Sequence, residues 1–377
     1  MIDPFAAQPA EVSLIATSLP AFNDIAEKIC HLVLQDEEIA KQLSSTKYDL
    51  ALVSNYDGCP FALAHRHGND KVVAFSSLPM IHFEESASGI PSLPVYKTDA
   101  LHGKANFDRY SFYDRIINFI RIHYRKMVEE RGAYDRTDTI VRKYYGSDFP
   151  SVESLYTRAF FELANANVLL EQPRITSSRI KMIGGIGFRR GKNITDNYNL
   201  PLPPSAPPNF HRVDWMPQND LLQHPRVVAF VSHVGLNSFV EASFSGVPIL
   251  AIPLFYDQTH NGNCIRRLGT VVVVSKYKVT DESMITAMGQ VLKDPRYGEK
   301  ARELAAMLDA NQDTPERIFI EAIEFAAKFK DLDKITYLPG GDFPFWSHYG
   351  VLVDAEALTT NKSEGEEKGE ESLITLW

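Results

Sequence analysis

The sequence predicts an α/β protein of two doubly wound lobes, and three stretches carry that expectation. Asp49–Val53 and Val72–Phe75 are short apolar runs with CPFALAHRHG between them, a strand–helix–strand unit of the kind that builds a parallel sheet. Ala229–Ser232 and Ile249–Leu254 repeat the arrangement around Asn237–Ser245, a segment that can form a helix closing at Gly246. Between the two units, Tyr198–Phe210 (YNLPLPPSAPPNF) holds five prolines in thirteen residues, the composition of an extended surface connection without a packed core. At 377 residues the chain is long enough for two or three domains of roughly 150 residues each.

In chain order, the first expected element is an amphipathic helix over Phe22–Leu43, where Phe22, Ile25, Ile29, Leu32, Val33, Ile39, Ala40 and Leu43 share a stripe. The first strand–helix–strand unit follows, its helix ending at Gly68. A second long helix is predicted over Ser111–Glu130, with Ser111-x-x-Asp114 at its start and Gly132 after its end. Its residues Ile116, Phe119, Ile120, Tyr124 and Met127 fit a core face. GGIGFRRG is not a dinucleotide fingerprint, because Arg190 stands where the third glycine belongs. After the second unit come a strand over Val271–Val274 and helices over Glu282–Leu292, Glu299–Leu308 and Pro315–Phe329, the last opening on Thr314-Pro315 as cap and first-turn proline. Met284, Met288, Val291 and Leu292 recur at helical spacing and read as core. The end, NKSEGEEKGEESLITLW, is acidic and glycine-rich, the composition of a disordered tail.

Chemistry concentrates in one stretch, Trp215–Gln258. In open α/β sheets, ligands sit beyond the carboxyl ends of the strands. His233, Asn237 and Ser238 follow one expected strand end there, and Asp257 and Gln258 the next. A helix start offers unpaired N–H groups and a positive dipole end, which suit a diphosphate. Gly235 lets backbone approach a ligand, Glu241 lies one turn on and can accept from ribose hydroxyls, and Trp215 offers a flat face for a base. Asp257 and Gln258 pair an acceptor with a donor–acceptor, as sugar hydroxyls require. Singly, each has a plainer explanation. Ser238-x-x-Glu241 is capping-box spacing, His233 and Trp215 could be core residues, and Asp257 could be a turn residue.

Taken together, the stretch closely resembles the donor-binding motif of the UDP-glycosyltransferases, the group that includes UDP-glucuronosyltransferases. That motif reads roughly WxPQxxLLxHP, FxxHxGxNSxxE and GVPxxxxPxxxDQ. Trp215, Pro217, Gln218, Leu221, Leu222, His224 and Pro225 match its first part. Phe230, His233, Gly235, Asn237, Ser238 and Glu241 match the second, and Gly246, Val247, Pro248, Pro253, Asp257 and Gln258 the third. Val234 departs from it, since the family often has glycine there.

By resemblance, Trp215 stacks on uracil and Gln218 contacts the nucleoside. His233, Asn237 and Ser238 hold the diphosphate with Gly235 beneath, Glu241 takes the ribose, and Asp257 and Gln258 take the sugar. The resemblance implies a glycosyltransferase-B-like architecture of two Rossmann-like lobes. Residues 1–190 would form the acceptor-binding lobe, 191–210 the linker, 211–335 the donor-binding lobe, 336–360 an extension and 361–377 the acidic tail. It also implies inverting transfer of a hexosyl group, glucuronosyl or glucosyl, from a UDP-sugar to a small lipophilic acceptor. A histidine would act as base and an aspartate would orient it.

Departures accompany that match. The orienting aspartate falls on Ser54, with Asp57 close by, and nothing before Phe22 resembles the histidine's strand–loop. The family's Ser-Phe-Gly-Ser loop has no counterpart, so both lobes are expected to lack strands. The catalytic base is therefore unassigned. His65 and His67 read as residues of a surface helix end, and the alternative function is a UDP-sugar-binding remnant with little transferase activity.

Composition bounds the partners. A net charge of −9 and a pI near 5.7 argue against nucleic acid. Cys30, Cys59 and Cys264, far apart and odd in number, suggest neither a disulfide framework nor a metal cluster, so no metal is expected, and no cofactor beyond the UDP-sugar co-substrate. The N-terminus has no basic or apolar signal region and no apolar run reaches the length of a membrane span, so a soluble, cytoplasmic chain is expected, whereas animal relatives usually sit in the endoplasmic reticulum membrane. Asn193-Ile-Thr195 and Asn361-Lys-Ser363 are sequons that matter only in a translocated chain.

Overall fold

The structure, a computed structural model, describes residues 19–79, 85, 87–90, 111–124, 131–189, 207, 209–213, 215–255 and 257–338. The Pro-rich stretch apart from 207, 209 and 210, both sequons, Met127 and the acidic tail lie outside the described residues.

The first lobe is built on a parallel sheet ordered β1 (Ala51–Ser54), β2 (Val72–Ser76), β3 (Phe161–Ala164) and β4 (Ile180–Met182), with Ala51 opposite Val72, Val73 opposite Phe161 and Glu162 opposite Ile180. Parallel strands are covered on both faces, so successive residues of β2 serve different cores. Val72 and Ala74 pack with Phe61, Leu155 and Tyr156, while Val73 packs with Phe161, Leu163, Ala322 and Ala326. One central position is charged. Glu162 is buried in β3, and its carboxylate accepts from Asn55 Nδ2 at 2.7 Å and from the Tyr156 hydroxyl at 3.0 Å. A buried carboxylate without such donors would cost several kcal/mol, on the order of its desolvation penalty.

The helices of this lobe are α1 (Leu19–Gln35), α2 (Glu37–Ser45), α3 (Cys59–Arg66), α4 (Phe112–Tyr124), α5 (Arg131–Tyr145) and α6 (Val152–Thr157). They correct the sequence reading at three points. The expected Phe22–Leu43 helix is two helices, because the Asp36 carboxylate caps a new start by accepting from Glu38 N at 2.9 Å and Ile39 N at 3.0 Å. In α4, Ile116, Phe119 and Ile120 are exposed, and the buried residues are Asn118 and Ile122. Periodicity marks an apolar stripe but does not say whether anything covers it. Gly132, expected after a helix end, lies in the first turn of α5, a helix the sequence did not predict. Glycine costs a helix about 1 kcal/mol relative to alanine, and the burial of Ile140 and Val141 outweighs it.

The cysteines need a further correction. Cys30 of α1 and Cys59 at the start of α3 form a disulfide, leaving Cys264 as a buried free thiol. Their separation of 29 residues hides the pairing, which only the docking of α1 beside α3 creates.

The second lobe holds, among the described residues, a parallel sheet of β5 (Phe230–Ser232), β6 (Ile249–Ala251) and β7 (Val271–Val273). Around it lie α7 (Gln218–Leu222), α8 (Leu236–Ser245), α9 (Gln258–Arg267), α10 (Asp281–Lys293) and α11 (Pro295–Ala310). Ile249 and Ala251 face the cluster of Phe239, Val240, Phe244, Leu304 and Leu308. Leu250 faces Ala287, Val291, Met284 and Met288 on α10, so those methionines are core as expected, though Leu292 is exposed.

The chain then returns. α12 (Pro315–Lys328), capped by Thr314, lays Ala322 and Ala326 on the first sheet, and α13 (Asp333–Thr336) follows, its Thr336 donating to Phe160 O at 3.1 Å. Between the lobes, Leu170 joins the second lobe's core and Phe188 stacks on Phe244. The IGG run has a packing reason: a Cβ at Gly184 would stand 2.5 Å from the backbone carbonyl carbon of Ala166.

Candidate functional site

The site begins where β5 ends. Ser232 Oγ accepts from Val234 N at 3.0 Å, and Val234 takes φ of 57°, a left-handed conformation that costs a β-branched residue about 1–3 kcal/mol. Its side chain is fully buried, and its carbonyl accepts from Asn261 Nδ2 at 3.0 Å, so packing and one side-chain bond hold the turn. This backbone explains why glycine suits the position in the resembling motif.

Gly235 then caps α8 without any side-chain cap, so the first N–H groups of this ten-residue helix are left to other partners. His233 folds over the same point, since a Cβ on Gly235 would meet its Nε2 at 2.5 Å. His233 and Asn237 are exposed, and Ser238 and Glu241 are half-buried. Ser238 and Glu241 do not form a capping box. Both are gathered by Gln218 at the start of α7, whose Nε2 donates to Ser238 Oγ at 3.1 Å and to Glu241 Oε2 at 2.7 Å. Trp215, three residues earlier, is 82% exposed.

Asp257 and Gln258 sit beyond β6, at the start of α9, and both are buried. Gln258 Oε1 accepts from Leu254 N at 2.8 Å and Phe255 N at 3.2 Å, which fixes the loop after β6. Asp257 accepts from Asn261 Nδ2 at 2.7 Å. Burial pushes the Asp257 carboxyl up, against the opposing pull of Asn261, His260 and His233. The structure thus brings the turn at His233–Gly235, the gathered pair on α8 and the Asp257–Gln258 loop to one end of the sheet. Exposed donors at a helix start beside two carboxylates suit an anion joined to a polyol. Sequence reasoning missed Asn261, which ties Asp257 to the Val234 carbonyl. Its only signal was the four-residue spacing from Asp257 on one helix.

In the first lobe, Ser54 ends β1, and Asp57 Oδ1 accepts from Cys59 N at 2.8 Å. Burial pushes the Asp57 carboxyl up, partly offset by that backbone bond. A cavity of about 60 Å³ beside it is lined by Tyr56, Asp57, Tyr134, Thr137, Glu27 and Arg136. The described histidines of this lobe are engaged elsewhere. His65 bonds Asp70 at 2.6 Å, His67 bonds Ser44 Oγ at 3.0 Å, His31 bonds the Tyr144 hydroxyl at 3.0 Å and His123 bonds Phe119 O at 2.8 Å.

No helix among the described residues is long and apolar enough to cross a membrane. Similar solved structures carry the same fold: the glycotransferase of kitacinnamycin, with a TM-score of 0.56 at 17% identity and 83% of this chain aligned to 84% of that one, and the glycosyltransferase VinC in complex with DTDP, with a TM-score of 0.52 at 14% identity and 84% of each chain covered. The architecture is therefore of the glycosyltransferase-B type, two α/β lobes on parallel sheets.

Among curated relatives, bovine UDP-glucuronosyltransferase 3A1 is 27% identical over 337 residues, 75% of this chain and 62% of the relative. Human UDP-glucuronosyltransferase 2A1 is 24% identical over 365 residues, 84% and 68% respectively. For ugt-50 of Caenorhabditis elegans the figures are 25% over 346 residues, 75% and 65%, so the chain spans about two thirds of the length of these relatives. The profile of the family described as UDP-glucoronosyl and UDP-glucosyl transferase matches residues 5–206 and 197–330. The chain belongs to that family.

Proposed function

We propose that this protein binds a UDP-sugar at the end of the second sheet and transfers its hexosyl group, glucuronosyl or glucosyl, with inversion to a small lipophilic acceptor held by the first lobe. Residues 1–190 then serve the acceptor and 211–335 the donor, with 191–210 linking them, except that α12 and α13 pack back on the first lobe's sheet. The observation that carries the reading is the gathering of Ser238 and Glu241 by Gln218 beside an open helix start. In that arrangement the α8 N–H groups, His233, Asn237 and Ser238 receive the diphosphate over Gly235. Glu241 receives the ribose, Trp215 the base and Asp257 with Gln258 the sugar. Gln218 donates to one Glu241 oxygen, and the other is assigned to the ribose. Burial pushes the Asp257 carboxyl up, and its oxygens can accept from a sugar hydroxyl.

A second reading has its own observation. Ser54, which cannot orient an imidazolium as a carboxylate would, ends β1, and Asp57 is committed to the start of α3. Under this reading the protein binds the UDP-sugar and transfers little or none of it, since losing a general base removes roughly 10²–10⁴ in rate.

Titration calorimetry with UDP, followed by incubation of UDP-glucose or UDP-glucuronate with phenolic and steroid acceptors, separates the two. Binding with conjugate formation abolished by His233→Ala supports transfer. Binding without conjugate supports the second reading. Absence of UDP binding to folded protein overturns both.

A further inference from the structure

Apart from the site at the sheet end, a second cluster of reactive side chains lies between the lobes. Glu171 stands in the loop after β3, held by a turn in which Leu170 N and Glu171 N donate to Asn167 O at 3.0 and 2.8 Å. His260 and Cys264 stand one turn apart on the inward face of α9. All three are buried, and their ligand atoms lie within 4.8 Å of one another. His260 Nε2 is 2.7 Å from Glu171 Oε1, Cys264 Sγ is 3.7 Å from the same oxygen, and Sγ and Nε2 are 3.5 Å apart.

We propose that Glu171, His260 and Cys264 form a binding site for a divalent transition metal, zinc above all, that fastens the second lobe to the first. Two arguments support it. The donor set of thiolate, imidazole and carboxylate is the one zinc takes, and a His-x-x-x-Cys pair on one helix face forms a chelate. The geometry is close: with metal bonds of about 2.0–2.3 Å, tetrahedral ligands stand about 3.3–3.6 Å apart. The two sulfur distances fit that spacing nearly as they are, and only the His260–Glu171 pair must open by about half an ångström.

Arg174 pairs with Glu171 at 2.9 Å and with Glu85 at 3.3 Å, all three side chains buried, so Glu171 is held where it reaches α9. Any proton on the ligating nitrogen or sulfur leaves to solvent as its metal bond forms. Arg267 Nη2, which donates to the Glu171 carbonyl at 3.2 Å, keeps the loop in place from the second lobe. The ion would enter when the lobes part, because Glu171 comes from one lobe and the other two ligands from α9. This inference is independent of the proposed donor site.

The test uses the purified chain, stripped with chelator under non-reducing conditions and titrated with Co²⁺ as a spectroscopic stand-in. Cys264 is the one cysteine outside the Cys30–Cys59 bridge. A thiolate-to-cobalt charge-transfer band at one equivalent, bleached by added Zn²⁺, is therefore assigned to it without ambiguity. The expected results are that band in the parent, its loss in Cys264→Ser, and affinity lowered at least tenfold in His260→Gln. Zn²⁺ should also raise Tm in the parent and not in Cys264→Ser. A parent protein with no such band, or a band that survives Cys264→Ser, overturns the proposal. So does stoichiometric zinc binding unaffected by both substitutions, which would place the ion on surface histidines.

Discussion

Glu241→Gln changes one atom and separates a ligand-binding role from a structural one. In the resting site Glu241 Oε2 receives Gln218 Nε2 at 2.7 Å, and the proposal assigns the other oxygen to the ribose. The amide keeps one oxygen acceptor and turns the second into a donor, so it cannot accept from Gln218 and from a ribose hydroxyl on separate oxygens. What is lost is a charge-assisted pair of hydrogen bonds, about 1.5–3 kcal/mol of UDP affinity. That range corresponds to a Kd raised about 10- to 160-fold. Folding stability should barely move, within about 0.5 kcal/mol, because the side chain is only half-buried at a surface cleft. The assay pairs calorimetric titration with UDP and a thermal melt of the same sample. A Kd within threefold of the parent at unchanged Tm would refute the assignment of Glu241 to the ribose. A Tm lowered by many degrees would make it a structural residue instead.

Three further expectations follow from named contacts. Cys30→Ser should destabilise the first lobe by about 3–4 kcal/mol, the loop-closure value for a bridge spanning 29 residues, read as a lower denaturation midpoint that reductant reproduces in the parent. Gly184→Ala places a Cβ 2.5 Å from backbone that cannot swing away and should cost about 1–3 kcal/mol, whereas Gly235→Ala meets only the movable His233 ring and should weaken UDP binding with little change in Tm. For the metal-free protein, burial opposes the charge on His260, but Cys264 and Glu171 outweigh it and hold its pKa at about 10. Burial opposes the charge on Glu171 too, and His260 and Arg174 hold it well below the usual carboxylate range. A raised base stabilises fully below its unfolded value of 6.5 and loses that contribution as pH climbs toward about 10, and a lowered acid stabilises above 4.5 and loses it as pH falls. Tm should therefore decline from pH 6.5 to 10, and His260→Gln should flatten that decline.

The sequence by itself determined the parts whose information is local. Strand–helix–strand units, the helix expected over Asn237–Ser245 with its end at Gly246 and the Thr314-Pro315 start all follow from spacing within a dozen residues, because hydrophobic period and capping chemistry act over one or two turns. The residues at the end of the second sheet were legible for the same reason, being successive turns of one unit. Tertiary structure decided what joins distant segments. It put Gln218 on both Ser238 and Glu241, which spacing alone read as a capping box, and used Asn261 to brace the turn at Val234. It paired Cys30 with Cys59, laid α12 back on the first sheet and left the apolar stripe of α4 uncovered. It also carried Glu171 across 89 positions to His260. A periodic stripe states that a face is apolar but not which surface meets it, and a lone histidine or cysteine states its chemistry but not its neighbours. Those choices belong to the packing of whole elements, where burial of one face fixes the place of every side chain on the next.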